Sequence, residues 1–207
     1  LGQFGYEVLG IDISEKTIAV ANRRNTYPNV KFAAISAEAL TAQGETYDAV
    51  ICSEVLEHLD HPQLLLNTIH ASLKDNGLLI VTVPNGNGPR ELCVTRPMLK
   101  ARNNPALWKA INKVKNTLGF RGTTAQSQAD NLDHVQFFTR KDLQQLASAS
   151  DFKIIRFAKT NFVEDVFPFS LLTKRLKFLQ ALDCQVAELL PYNFTGGFNT
   201  LWRKNIN

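Results

Sequence analysis

The sequence predicts an α/β domain, with a mostly parallel sheet and helices on both of its faces. Three observations carry that prediction. Strand-like and helix-like runs alternate through the first 85 residues. The run 47–52 becomes almost wholly apolar at its end, as a strand covered on both faces does. The strand runs also end in polar or acidic positions, at Asp12, Ile35-Ser36, Cys52 to Glu54 and Pro84-Asn85, where open parallel sheets keep their ligand sites.

The elements follow in order. Tyr6 to Ile13 is apolar and rich in β-branched residues and reads as a strand closed by Asp12. Ser14 is the expected N-cap of the next helix, with Thr17, Ile18, Val20 and Ala21 at helical spacing behind it. Asn25 to Pro28 stop that helix, and 30–35 is a second strand. Tyr47 to Cys52 is a third. A helix is expected from His61 to Leu73, ended by Asn76-Gly77 with Gly77 as the left-handed cap. Residues 78–83 form a fourth strand, closed by Pro84-Asn85-Gly86.

The alternation breaks at Gly86. Segment 86–133 is polar, with helical pieces at Arg90 to Ala101 and Ala106 to Leu118, and Gly119 to Asp130 reads as a mobile loop. It is too short and polar for a core of its own, so it reads as an insertion beside the strand tips. Residues 1–85 and 134–207 would form the core. Order returns at His134, Thr139 caps a helix to Ala149, 152–158 is a strand, 170–190 is mostly helix, and 197–202 is a last strand. The aromatic residues Phe137, Phe138, Phe152, Phe157, Phe162, Phe167 and Phe169 are read as core. Trp108 either lines an acceptor pocket or anchors the insertion.

Composition narrows the function classes. The 207 residues carry 23 Lys+Arg against 19 Asp+Glu, a net charge of +4, too modest to imply nucleic acid or a charged membrane surface as partner. No apolar run reaches the roughly 18–20 residues that span a bilayer. Cys52, Cys93 and Cys184 are odd in number and widely spaced, which argues against a disulfide framework or a cysteine-rich zinc site. A cytoplasmic location is the expectation. The chain opens on Leu1 and enters a strand almost at once, so a preceding segment is expected.

Two motifs can carry chemistry. Asp12, at a strand tip before a helix start, can accept from both hydroxyls of a ribose, or it can help cap the helix at Ser14. Glu54, Glu57 and His58 stand at i, i+3 and i+4, positions that share a face on one helical turn. Such a group can hold a divalent cation or move a proton, or it can be a solvated turn that pairs locally. His61 and His70 fall at a helix start and within a helix and suggest no chemistry.

Gly5 to Ser14, Tyr47 to Leu59 and Gly77 to Asn85, in that order, resemble class I S-adenosylmethionine-dependent methyltransferases. His134 to Thr139 is similar to the late block of the ubiquinone-biosynthesis type. The resemblance implies a Rossmann-like, mostly parallel seven-stranded sheet, its first strand missing here, with 86–133 as an inserted helical lid. It implies that Asp12 holds the ribose of S-adenosylmethionine and that Ile13 packs on the adenine. Ala37 would offer its N–H to that ring. Ser36 stands where many relatives place an acid that accepts from the adenine amino group. Cys52 and Ser53 would lie under the methionine part, with Glu54 near the methyl donor. The family's glycine-rich loop should fall just before Leu1. Some relatives, including RNA ribose methyltransferases, bind a divalent metal through an E-x-x-E-H turn. The equivalent ligands here are Glu54, Glu57, His58 and His134, with Mg2+ the expected ion. His134 would otherwise serve as a general base.

The expected activity is methyl transfer to oxygen of a small-molecule acceptor, with no membrane or nucleic-acid partner. The competing readings are a metal-dependent RNA ribose 2′-O-methyltransferase and a non-catalytic protein of the same fold. A nicotinamide dehydrogenase would share only the acid-ended strand.

Overall fold

In a computed structural model, residues 1–102, 104, 106, 108, 109, 113, 134–163, 166 and 176–205 are described. β1 (Val8–Asp12) and β2 (Val30–Ala34) pair in parallel, from Val8 opposite Val30 to Asp12 opposite Ala34. α1 (Glu15–Arg24) crosses between them. It begins where Ser14 Oγ accepts from the Thr17 N–H at 3.2 Å and buries Ile18. Ser36 caps a short helix, α2 (Ala37–Thr41), which the apolar pattern does not signal.

β3 (Tyr47–Ser53) and β4 (Leu73–Pro84) are also parallel and are joined by α3 (Pro62–Ser72). Pro62 opens that helix, where a missing N–H costs nothing. A π-helical turn, Glu91–Thr95, runs into α4 (Arg96–Arg102). α5 (Arg140–Ala149) has a full capping box, Thr139 with Asp142. β5 (Phe152–Lys159), α6 (Lys177–Leu189) and β6 (Gly197–Lys204) complete the described chain.

The strands form two sheets, β1-β2 and β3-β4-β6-β5. β6 lies between β4 and β5 and runs antiparallel to both. One face of β4 (Leu79, Val81, Val83) packs with Leu56, Leu66, Ile69, Leu143, Phe152, Phe198 and Trp202 in a single core. Phe138 and Phe152 are buried as expected, and Phe137, Phe157 and Phe162 are half-buried. No helix among the described residues is long and apolar enough to cross a membrane.

Several expectations change. Among the described residues β3 pairs with β4 alone, and Ile51 is 51% exposed rather than covered. Helix α3 stops at Ser72, and the strand pairing already begins at Leu73. The left-handed residue there is Asn76 (φ 60°), not Gly77. Gly77 is needed for space, because a Cβ would stand 2.8 Å from the Lys74 carbonyl oxygen. The helical piece expected at Ala106 to Leu118, the loop at Gly119 to Asp130, and Phe167 and Phe169 lie mostly or wholly outside the described residues.

Candidate active site

The strand ends place the two motifs differently. At the end of β1, Asp12 Oδ1 accepts from the Ser14 N–H at 2.7 Å, so the carboxylate does brace the helix start. Beside it Ile13 is 81% exposed, a large apolar side chain standing open next to an acid. At the end of β2, Ser36 Oγ accepts from the Ala39 N–H at 3.2 Å, and Ala37 is the first residue of α2. The four residues of the ribose and adenine expectation, Asp12, Ile13, Ser36 and Ala37, thus sit at or just before helix starts.

At the end of β3 the side chains alternate. Cys52 turns into the core, and burial pushes its thiol up to about 12, so it stays a neutral thiol. Only its backbone can face a ligand. Ser53 Oγ and Thr82 Oγ1 are 2.8 Å apart, and Thr82 Oγ1 donates to Glu54 Oε1 at 3.1 Å. Glu54 adopts φ 53°, a left-handed backbone that is strained for a residue bearing a Cβ. The same strand tip of β4 carries Asn85, but its amide is spent on the Tyr192 and Thr195 carbonyls.

The left-handed Glu54 ends the strand and starts a 3-10 turn, Leu56–His58. Leu56, fully buried, anchors the turn in the core and carries Glu57 inward with it. The Glu57 carbonyl accepts from both the Val135 and Gln136 N–H groups, at 2.8 and 3.0 Å. These two bonds bring His134 from the late block onto the turn. The His58 and His134 rings meet edge to face with centroids 5.1 Å apart.

Glu57 is 1% exposed, and neither carboxylate oxygen finds a hydrogen-bond partner among the described residues. Burial raises its carboxyl to about 7, opposed by its own backbone N–H and by His134 and helped by the charges of Glu54 and Glu91. His58 Nε2 is 3.8 Å from Glu57 Oε1. His134 Nδ1 is 3.4 Å from Glu91 Oε1, and that carboxylate holds the imidazole above its ordinary value.

Glu57, His58 and His134 each offer one ligand atom, and the three atoms lie within 4.8 Å of one another. Donors bound to one ion at about 2.1 Å stand at most about 4.2 Å apart, so the group fits a divalent cation after a small inward shift. The buried, partnerless Glu57 oxygens are what such an ion would satisfy. Glu54 is outside this group. It precedes the turn instead of sharing a helical face with Glu57 and His58, so its i, i+3 spacing does not translate into convergence. Glu91 joins the cluster from the segment after Gly86, and no sequence pattern marks it.

Polar groups collected beyond the carboxyl ends of parallel strands, flanked by helices, define a Rossmann-like ligand-binding protein. The comparisons with known proteins are specific. Residues 1–156 match the family model described as methyltransferase domain, and the chain belongs to that family. The ubiquinone biosynthesis O-methyltransferase of Sinorhizobium fredii is 34% identical over 87 residues, 41% of this chain and 35% of that protein. The chain thus matches about a third of that relative's length. Among solved structures, the magnesium protoporphyrin IX methyltransferase of Synechocystis PCC 6803 with bound SAH superposes at TM-score 0.52 and 16% identity, over 99% of this chain and 66% of that one. The [4+2]-cyclase SpnF superposes at TM-score 0.53 and 15% identity, over 98% and 67%. At these identities the structures speak for the fold alone, and a cyclase among them shows that the fold does not choose the reaction.

Proposed function

We propose that this chain carries an S-adenosylmethionine-dependent methyltransferase activity directed at an oxygen of a small molecule. The observation that supports it most is the buried group of Glu57, His58 and His134, one turn beyond a parallel strand end. A hydroxyl must lose its proton to become a methyl acceptor, and this group combines a carboxyl raised to about 7 with two imidazoles. The name of the Sinorhizobium relative agrees with transfer to oxygen.

In this reading Asp12 receives the ribose hydroxyls through the oxygen not engaged by Ser14, and Ile13 covers the adenine. Ser36 and Ala37 meet the edge of that ring. Ser53 and the Cys52 backbone lie under the amino-acid portion, and Glu54, steered by Thr82, stands near the methyl donor. S-adenosylmethionine, when bound, supplies a methyl group already activated on sulfonium, so alignment is the protein's main task. His134 takes the acceptor's proton. Segment 86–133 forms the acceptor side of the site and sets specificity.

The donor group also fits a divalent cation, which when bound would lower the acceptor's pKa. Glu57, His58 and His134 would hold it, without the Glu54 expected from the motif, which lies outside that group. Two imidazoles suit Mn2+ or Zn2+ better than the Mg2+ expected from the motif, because Mg2+ prefers an all-oxygen shell. Three widely spaced cysteines fit a reducing compartment such as the cytoplasm.

The test is calorimetric titration of S-adenosylhomocysteine into the protein, with MnCl2 and again with EDTA. Saturable binding that Asp12→Ala weakens supports the reading. No binding by a folded protein refutes it and favours a non-catalytic role. Tight RNA binding with steep salt dependence would shift the acceptor to a ribose hydroxyl.

A further inference from the structure

We propose that Glu91 is the positioning residue of His134: its carboxylate takes the Nδ1–H and so leaves the lone pair on Nε2. The proposal rests on the reading of His134 as base or metal ligand. It adds a residue from the 86–133 segment to the site.

Four observations carry it. First, the two groups face each other inside the protein, His134 Nδ1 at 3.4 Å from Glu91 Oε1, with side chains 5% and 1% exposed. Neither Glu91 oxygen has a well-aligned hydrogen bond among the described residues. A buried carboxylate is retained without partners only at a cost, so one that faces an imidazole nitrogen has a use for it.

Second, Glu91 is not one of the three residues whose ligand atoms converge. It faces Nδ1 of His134, and a carboxylate placed on one imidazole nitrogen orients the ring for work at the other. Third, the ring has little room to turn. His58 and Phe137 pack edge to face on it, with centroids at 5.1 and 6.4 Å.

Fourth, the chain spends specific contacts on delivering Glu91. Gly86 N–H donates to the Phe138 carbonyl at 2.8 Å, and a Cβ at Gly86 would come within 2.5 Å of the Phe137 backbone. Arg96 Nη2 donates to the Gly86 carbonyl at 2.7 Å, and its guanidinium lies over the Phe137 ring at 5.1 Å. These contacts tie the chain to the stretch carrying His134 on both sides of the π-helical turn, at Gly86 before it and at Arg96 just after it. Extra-residue turns of this kind recur at functional sites, where they re-aim a side chain. The 3.4 Å separation is longer than a formed bond, and such contacts tighten when a site is loaded.

The test is the tautomer of His134, read from two-bond 15N–1H correlations at pH 8.5, with His134→Ala to assign the signals. Wild type should show Nδ1 protonated and Nε2 bare. Glu91→Leu, which removes the acceptor, should revert His134 to the ordinary Nε2–H form, while Glu91→Gln, which keeps an acceptor oxygen, should retain Nδ1–H. In parallel, Zn2+ titration should show affinity about 10–100-fold weaker for Glu91→Leu, with a smaller loss for Glu91→Gln. A wild-type spectrum with Nε2 protonated overturns the proposal whether or not the variants fold. An unchanged tautomer and unchanged Zn2+ affinity in folded Glu91→Leu overturn it too, while leaving the metal reading standing. If wild type takes up no Zn2+ yet the tautomer switches, the metal reading fails and the positioning role holds.

Discussion

Glu57→Gln should make the protein more stable than wild type at alkaline pH when metal is removed. The fold holds the Glu57 carboxyl at about 7 against an ordinary value of 4.5, because burial penalises the charged form. A carboxyl raised in the folded state keeps its proton more tightly there than in the unfolded chain. Its contribution is therefore fully present below pH 4.5 and is lost as the pH climbs through 7. A gap of about 2.5 pH units at 1.36 kcal/mol each amounts to about 3 kcal/mol. Glutamine has no proton to lose, so the variant escapes that loss. His134, also raised, loses stability in the same direction, but it is present in both proteins and largely cancels. The assay is urea unfolding of both proteins in EDTA from pH 4.5 to 8.5. With a slope of about 2 kcal/mol/M, the midpoint difference should widen by roughly 1.5 M across that range in favour of Glu57→Gln. Midpoints that run parallel with pH would refute the argument, because they would mean Glu57 is no costlier to ionise in the folded protein than in the open chain.

The remaining expectations test the site and the fold separately. A saturating divalent ion should raise wild-type stability by about 3 kcal/mol at 100 times its Kd, and Glu57→Gln or His58→Ala should lose most of that gain, as read by thermal shift with MnCl2 or ZnCl2. Asp12→Asn should keep the helix brace through its amide oxygen, so stability should move by less than about 1 kcal/mol. Its affinity for S-adenosylhomocysteine should fall about 10-fold by calorimetry, through loss of a charged acceptor. Gly77→Ala should cost about 1–3 kcal/mol because its Cβ meets the Lys74 carbonyl at 2.8 Å. Asn76→Gly, which relieves a left-handed residue, should be neutral within about 1 kcal/mol in the same denaturation assay.

The sequence by itself determined what depends on local rules. The alternation of strand and helix, the caps at Ser14 and Thr139, and the acid at the end of β1 follow from periodicity and hydrogen-bonding chemistry within a few residues. The blocks at 5–14, 47–59 and 77–85 sufficed for the family. Other features were decided only by contacts between distant segments. Ile51 is as apolar as Val81, yet Ile51 is 51% exposed while Val81, on a strand paired on both sides, is fully buried, and strand order is not a local property. Asn76 and Gly77 are both turn residues, and which of them takes the positive φ depends on how β4 leaves the core. Glu54, Glu57 and His58 carry a helical spacing, yet a left-handed backbone at Glu54 sets it apart from the other two. Glu91 lies in a polar stretch without a pattern, 43 residues before His134 in the chain. Only tertiary packing brings that carboxylate to 3.4 Å from the imidazole and shields both from water, and burial is what turns an ordinary pair of side chains into a strongly coupled one.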